Sequence, residues 1–350
     1  MVLTVGIDVH KDTHTAVVVD ELGRERARRC VRATDAGHRT LVGWARQQAP
    51  GERTWAVEDC RHVSTRLERA LLGAGQRVVR VPPKLMAGAR EGARTRGKSD
   101  PIDALAIARA ALREPDLPVA EHDQPSRELK LLVDHREDLV AERTRMQNRL
   151  RWHLHELDPE IDPPARRLGE VGVLDALAAR LGEHHGMVAR LAAELVADIG
   201  ERSVRIRALE REITALVRQA APALLELPGC GPLSAAKIVG ETARPGRFRS
   251  EACFAMHAGV APIPASSGRT HRHRLARGGN RQLNAALHRI AVTQTRLPGS
   301  LGQAFYQRRR AGGDTTMEAL RALKRRLARV VFALLQPPTT SAAAPQPAAA

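Results

Sequence analysis

Aromatic side chains make up only 2% of the 350 residues. So few rings exclude a surface built to stack on unpaired bases. Cysteine is scarce as well. Cys30, Cys60, Cys230 and Cys253 stand far apart with no CxxC pair, which excludes a zinc ribbon or a disulfide framework and fits a reducing cytosol. Long hydrophobic runs are missing. Those present are strand-length or interrupted by charges, and no basic leader precedes an apolar block at the N-terminus, so neither a membrane span nor a secretory signal is expected. A soluble protein of the cytoplasm, associated with the nucleoid, is the expectation.

Acids are outnumbered. Lys and Arg total 56 against 39 Asp and Glu, a formal net charge of +17, and most of the cations are Arg. Guanidinium groups match phosphate oxygens bidentately, so a polyanion is the natural partner. Together with the shortage of rings, this points to backbone contacts on duplex or folded nucleic acid. The length allows two or three domains with ample core.

Residues 1–120 read as α/β. Leu3, Val5 and Ile7 alternate with Thr4 and Gly6, HKDTH breaks the run, and residues 16–19 resume it, which predicts a hairpin. TLVGWARQQ reads as helix, TWAVEDC as a short buried strand, STRLERALLGAG as an amphipathic helix closed by Gly75, and QRVVRVPP as a strand stopped by proline. IDALAIARAAL is again helical. Such alternation favours a mixed or parallel sheet with functional side chains near the strand ends. Residues 121–220 carry apolar residues at helical spacing from Ser126 to Leu157 and again from Val171 to Gln219, with breaks at DPEIDPP, Gly186 and Gly200. This is an antiparallel, coiled-coil-like arm or, equally, a bundle packed on its own chain. In residues 221–336, LLELPGCGPLSAAKIVGE has the helix, glycine turn and helix of a helix-hairpin-helix, whose free amides hold a phosphate; a plain helix-turn-helix in a core fits too. Residues 337–350 are low-complexity and expected to be disordered. The fold class is α/β plus α.

Four acids carry the chemistry. Asp8 sits on an otherwise apolar strand, where a carboxylate is costly unless it is paired, binds a cation, or caps the turn. Glu58, in TWAVEDC, can lie beside it. Asp100 and Asp103, three apart, open a helix, where both can project from one face, or Asp100 can cap it with Pro101 in the first turn. Four converging carboxylates repel unless divalent cations neutralise them, and hard oxygen ligands suit Mg²⁺ or Mn²⁺. Two such ions about 4 Å apart serve phosphodiester chemistry. His10 with His14, and His271 with His273, lack a third ligand at zinc spacing and are expected to be exposed or to face phosphate.

GIDVHKDTH, Glu58 and KSDPIDALAIA together resemble the DEDD set of the RuvC-like, RNase H-fold domain in a group of bacterial insertion-sequence transposases. LPGCGPLSAAKIVGE, RFRSEACFAMHAGVAPIPASSG and RLARGGNRQLNAALHRIA resemble that family's C-terminal domain, so the likeness spans nearly the whole chain except the tail. It implies a DNA recombinase with catalytic Asp8, Glu58, Asp100 and Asp103 as metal ligands. It also implies a serine nucleophile and a structured guide RNA. Ser267, before Gly268, matches the family's serine-glycine position, with Ser266 as its neighbour. After Glu58 the family's usual small residue and threonine-glycine-like turn are replaced by Asp59, Cys60, Arg61 and His62, which leaves Asp59 as the alternative metal-facing acid.

The segment after the serines supplies Arg269, Arg272, Arg274, Arg277 and Arg281, which together with Lys237 are expected to contact nucleic acid. The basic run from Arg308 to Arg329 reads as a further helical face on nucleic acid. Donor and target DNA duplexes must meet, so a homo-oligomer, dimer or tetramer, is expected. The competing readings are a hydrolytic junction-resolvase-like nuclease and a nucleic-acid-binding protein without catalysis.

Overall fold

The computed structural model describes residues 3–83, 85–86, 99–114, 117–121, 123–164, 166–265, 273–274, 276 and 278–336, with the side chains of Arg61 and His62 left out. Two compact units account for them: residues 1–123 with 243–257, and residues 124–242 with 258–350.

The first unit is built on a five-stranded sheet. Strands β1 (Leu3–Val9), β2 (Thr13–Val19) and β3 (Glu25–Arg32) form an antiparallel meander. Helix α1 (Asp35–Gln48) leads to β4 (Arg53–Glu58), and α2 (Arg61–Gly73) leads to β5 (Arg77–Val81). Both strands pair in parallel, giving the order β3-β2-β1-β4-β5. The alternation read from the sequence decides the faces. Val5, Ile7 and Val9 of β1 join Trp55 and Val57 of β4 in a core with Leu41, Ala45, Leu67 and Leu71 of α1 and α2. The other face packs on α3 (Asp100–Arg113) through Val17, Val19, Ala104 and Ala108.

Strand β3 has no counterpart in the sequence reading. Of its residues only Val31 is buried, so as an exposed edge rich in Arg it lacks the apolar alternation by which a strand is recognised. Residues 243–257 belong to this unit through a 3₁₀ turn (Pro245–Arg247) and a helix (Glu251–His257). There Arg247 donates to the Val119 carbonyl, and Phe248 meets Phe254 edge to face at 5.4 Å.

The second unit is helical. Helices α4 (Gln124–Leu157) and α6 (Met187–Ala220) run antiparallel, as the ties Arg136–Glu210 and Arg143–Ser203 require, with α5 (Val171–Leu181) against them. Gly186 breaks the pattern as expected, but Gly200 lies inside α6, where its bare Cα faces Leu174. The short α7 (Pro222–Leu225) and α8 (Pro232–Thr242) follow. A Cβ on Gly240 of α8 would fall 2.9 Å from Lys130 Cα, so α8 lies directly on α4. Residues on both sides of position 220 therefore lie in this one compact unit. Strands β6 (Ile263–Pro264) and β7 (His273–Arg274) pair antiparallel. Helices α9 (Glu251–His257, of the first unit), α10 (Arg281–Arg296), α11 (Leu301–Ala311) and α12 (Thr316–Leu335) complete the set. Asn280 caps α10, Ser300 caps α11, and Thr315 with Glu318 forms a capping box on α12. Among the described residues no helix is long and apolar enough to cross a membrane, and all four cysteines are free.

Candidate functional site

The acids gather because of Gly6. A Cβ there would fall 2.2 Å from the Ala104 carbonyl oxygen and 2.6 Å from the Ala108 amide nitrogen, so α3 rests on bare backbone of β1. Asp8 lies two residues further along the same face of β1, and Asp103 precedes Ala104 on α3. Asp8 is 4% exposed and Asp103 6%. Asp100 begins α3 after Ser99, which holds the N-cap position without a side-chain bond, so Asp100 is free of the capping role considered from the sequence. In the parallel register Ile7 pairs with Val57, which puts Glu58 one step on, level with Asp8 and on its face of the sheet. Asp59 donates its backbone N–H to the Val81 carbonyl.

His10 enters this group. Its Nε2 donates to Asp8 Oδ2 at 3.0 Å and stands 3.5 Å from Asp100 Oδ1. Ligand atoms of Asp8, His10 and Asp100 all lie within 4.8 Å of one another, close enough to share one cation. Burial pushes the Asp8 carboxyl above its ordinary value; His10 opposes this, while Asp103 and Asp100 add to it. A carboxyl that is costly to ionise, with two acids beside it, is what a divalent cation would relieve. The oxygen-rich donor set suits a hard cation, which Asp8 and Asp100 would hold with His10 beside them. Sequence reasoning set His10 aside because its partner was sought four residues away in His14. The histidine two residues from a strand acid was the available signal.

His14 is not exposed. It is 2% accessible, stacks on His38 with centroids 5.2 Å apart, and places Nε2 3.1 Å from His38 Nε2. Burial, then the His38 neighbour, lowers its pKa to about 4.

Of the expected nucleic-acid contacts, Arg274 on β7 and Arg281 at the start of α10 are exposed. Lys237 is not. It is 2% exposed, ion-paired with Glu137 and donates to Gln282 at 2.9 Å, because α8 lies against α4 and α10; its ammonium is spent inside the unit. Ser266, Ser267, Arg269, Arg272, Arg277 and His271 lie outside the described residues, as does the tail 337–350. In the basic run, Arg308, Arg309, Arg310, Arg326 and Arg329 are exposed on α11 and α12, whereas Lys324 is buried.

A mixed sheet of this order, with carboxylates collected where the central strand meets a helix, is the frame of a DEDD-type, nuclease-like domain that works on phosphodiesters with divalent metal. The comparisons agree. A family model for DEDD transposases matches residues 5–159, the span that holds all four acids. A second, described as the transposase of the IS116/IS110/IS902 family, matches residues 221–307. The chain is 31% identical over 95% of its length, and 94% of the relative's, to an uncharacterized 44.8 kDa protein of insertion element IS116 from Streptomyces clavuligerus. It is 28% identical over 97% of its length, and 98% of the relative's, to an uncharacterized 42 kDa protein of insertion element IS900 from Mycobacterium paratuberculosis. The chain belongs to the IS110 family of insertion-sequence transposases. It is thus an enzyme that acts on DNA, and its family implies a divalent metal.

Proposed function

We propose that this transposase cuts and rejoins DNA strands with two sets of groups, the carboxylates of Asp8, Glu58, Asp100 and Asp103 and the hydroxyl of Ser267. The observation that carries this reading is the buried Asp8 carboxyl, within ligand distance of Asp100 and raised by burial and by its acidic neighbours. Asp8 and Asp100 would hold the cation, with Glu58 and Asp103 on the same sheet face and helix turn, and His10 orients the Asp8 carboxylate. Bound Mg²⁺ or Mn²⁺ would supply Lewis-acid stabilisation of charge on the attacked phosphate.

Ser267 Oγ forms a bond to phosphorus as the P–O bond of the cut strand breaks. Its proton passes to a base, and the departing oxygen leaves as a hydroxyl. A second exchange restores the serine and joins the strands, so no high-energy cofactor is needed. A structured RNA from the element directs the choice of donor and target duplexes, and the α4–α6 pair is the surface through which copies associate into a dimer or tetramer. The Pro228–Gly231 turn ahead of α8 grips DNA backbone in the manner of a helix-hairpin-helix. Residues 1–120 then supply the metal centre, 121–220 the arm and 221–336 the serine.

Trapping with labelled DNA tests this. A denaturant-resistant adduct should map to the peptide holding Ser266 and Ser267, vanish in Ser267→Ala and persist in Ser266→Ala. Robust metal-dependent cleavage without any adduct would return the protein to the hydrolytic class.

A further inference from the structure

We propose that a pocket of the helical unit, floored by Lys324, is a subsite for a backbone phosphodiester of DNA. This deepens the reading above, because residues 259–262 and His273 and Arg274 of β7, on either side of the serines in the sequence, wall part of the pocket, but it rests on the pocket alone. The cavity, about 410 Å³, lies between the 259–262 turn, β7 and the start of α12. Five cations face it, Arg274, Arg309, Arg321, Lys324 and Arg325, against two acids, Asp314 and Glu318. Both acids are engaged locally. Asp314 takes Arg309 Nε at 2.5 Å, and Glu318 Oε2 accepts from the Thr315 amide at 2.9 Å and its hydroxyl at 2.6 Å.

Lys324 is the unusual member. It is 7% exposed, and among the described residues its ammonium donates to a neutral oxygen, Asn284 Oδ1 at 2.9 Å. Asn284 is held in that orientation, since its Nδ2 donates to the carbonyls of Ala258 and Gly259 at 3.0 and 2.9 Å. An ammonium carries three donors, so among the described residues two are left for a ligand. The buried Lys237 of this unit is treated differently, being paired with Glu137, and the half-buried Lys130 is paired with Glu241. Burying an ammonium without a counter-charge is costly. Burial and the nearby Arg321 hold Lys324 below the ordinary lysine value, and an anion would reverse that. The cavity is too large for one small ion, its guanidinium groups suit phosphate oxygens, and a phosphodiester brings the single negative charge that Lys324 lacks. For a transposase, DNA is the source of that group.

The test uses the full chain, a labelled DNA duplex of mixed sequence and an RNA duplex of the same length. Lys324→Gln and Arg321→Gln should each weaken DNA binding on the order of tenfold. Each should also lower the slope of log affinity against log salt by about 0.9, whereas Arg39→Gln, exposed on α1, should leave the slope unchanged. In parallel, acetic anhydride labelling read by mass spectrometry should show Lys324 protected by the DNA duplex. Unchanged slopes in both variants, or Lys324 labelling unaffected by DNA, would overturn the proposal, as would protection by RNA but not DNA. A role confined to folding predicts a lower thermal midpoint for Lys324→Gln with no protection, which also overturns it. Ser267→Ala protein should keep the protection, so failure of the serine reading and failure of this one are told apart.

Discussion

Gly6 and Ala104 meet backbone to backbone: the position a Cβ would take on Gly6 is 2.2 Å from the Ala104 carbonyl oxygen. This contact sets the distance between the strand that carries Asp8 and the helix that carries Asp100 and Asp103. Gly6→Ala forces α3 outward, because the obstacle is backbone and cannot turn aside. The expected cost is about 1–3 kcal/mol in denaturant unfolding. Metal-dependent cleavage should fall further than the unfolded fraction explains, since the carboxylates part. A variant with native stability and activity would detach the site from this contact.

Neutralising the acids should separate stability from function. Asp8 is raised by burial first, so its ionised form is already costly in the folded chain without a cation. Asp8→Asn and Asp103→Asn should therefore fold at least as well as the parent in metal-free buffer. Adding Mg²⁺ or Mn²⁺ should raise the thermal midpoint of the parent and leave those of the variants unmoved, because only a folded site binds the ion. Equal stabilisation of parent and variants would place the metal elsewhere. His10→Ala is expected to weaken the metal effect without abolishing it, since the carboxylate oxygens remain.

Acid should unfold the first unit through His14. Its folded pKa, about 4, lies below the ordinary 6.5, with burial the main cause. The unfolded chain thus takes up a proton at a pH where the folded one does not. Stability is complete above about 6.5, falls as pH drops towards 4, and the total loss is up to about 3 kcal/mol. Burial lowers His38 as well, which acts in the same direction. His14→Phe should flatten the profile between those pH values in urea titrations. An unaltered profile would assign the acid sensitivity to other groups.

Much of the sheet and the acid set could be read from the sequence, because period-two alternation in β1, β2 and β4 fixes which residues share a face, and Asp8 breaks that pattern. The limits have physical causes. Strand β3 pairs through its backbone while its side chains are solvated, so it carries no period. A helix such as α8, which lies close on α4 and α10, hides a cation that looks superficial in one dimension. Glu137, a hundred residues away, is what makes its burial tolerable, and no local pattern announces so distant a partner. His10 lies in a turn whose geometry, not its spacing, brings the ring to Asp8 and Asp100.

Binding itself should be governed by phosphate neutralisation, as +17 and the exposed Arg of α11 and α12 suggest. With six or more phosphate contacts, affinity for a DNA duplex should fall about a thousandfold or more between about 50 and 200 mM salt. A nearly flat salt curve would mean that few of these cations meet phosphate.

The acids all precede residue 104 and the serines follow residue 265, so a reaction that needs both can be completed within one chain or between two. Complementation distinguishes these. Asp8→Asn protein retains its serine, and Ser267→Ala protein retains its four acids; each alone should be inactive in strand exchange. If a centre combines the acids of one copy with the serine of another, a mixed assembly contains some centres with both sets intact, and mixing should restore part of the activity. If each chain closes its own centre, no intact centre arises in any mixture, and activity should stay at background. The adduct locates the result. In a restored mixture the covalently attached DNA should sit on the Asp8→Asn chains, which keep Ser267, so a size tag on one variant identifies the chain that attacked. Adduct on the Ser267→Ala chains would transfer the nucleophile to another residue, with Ser266 the first to examine.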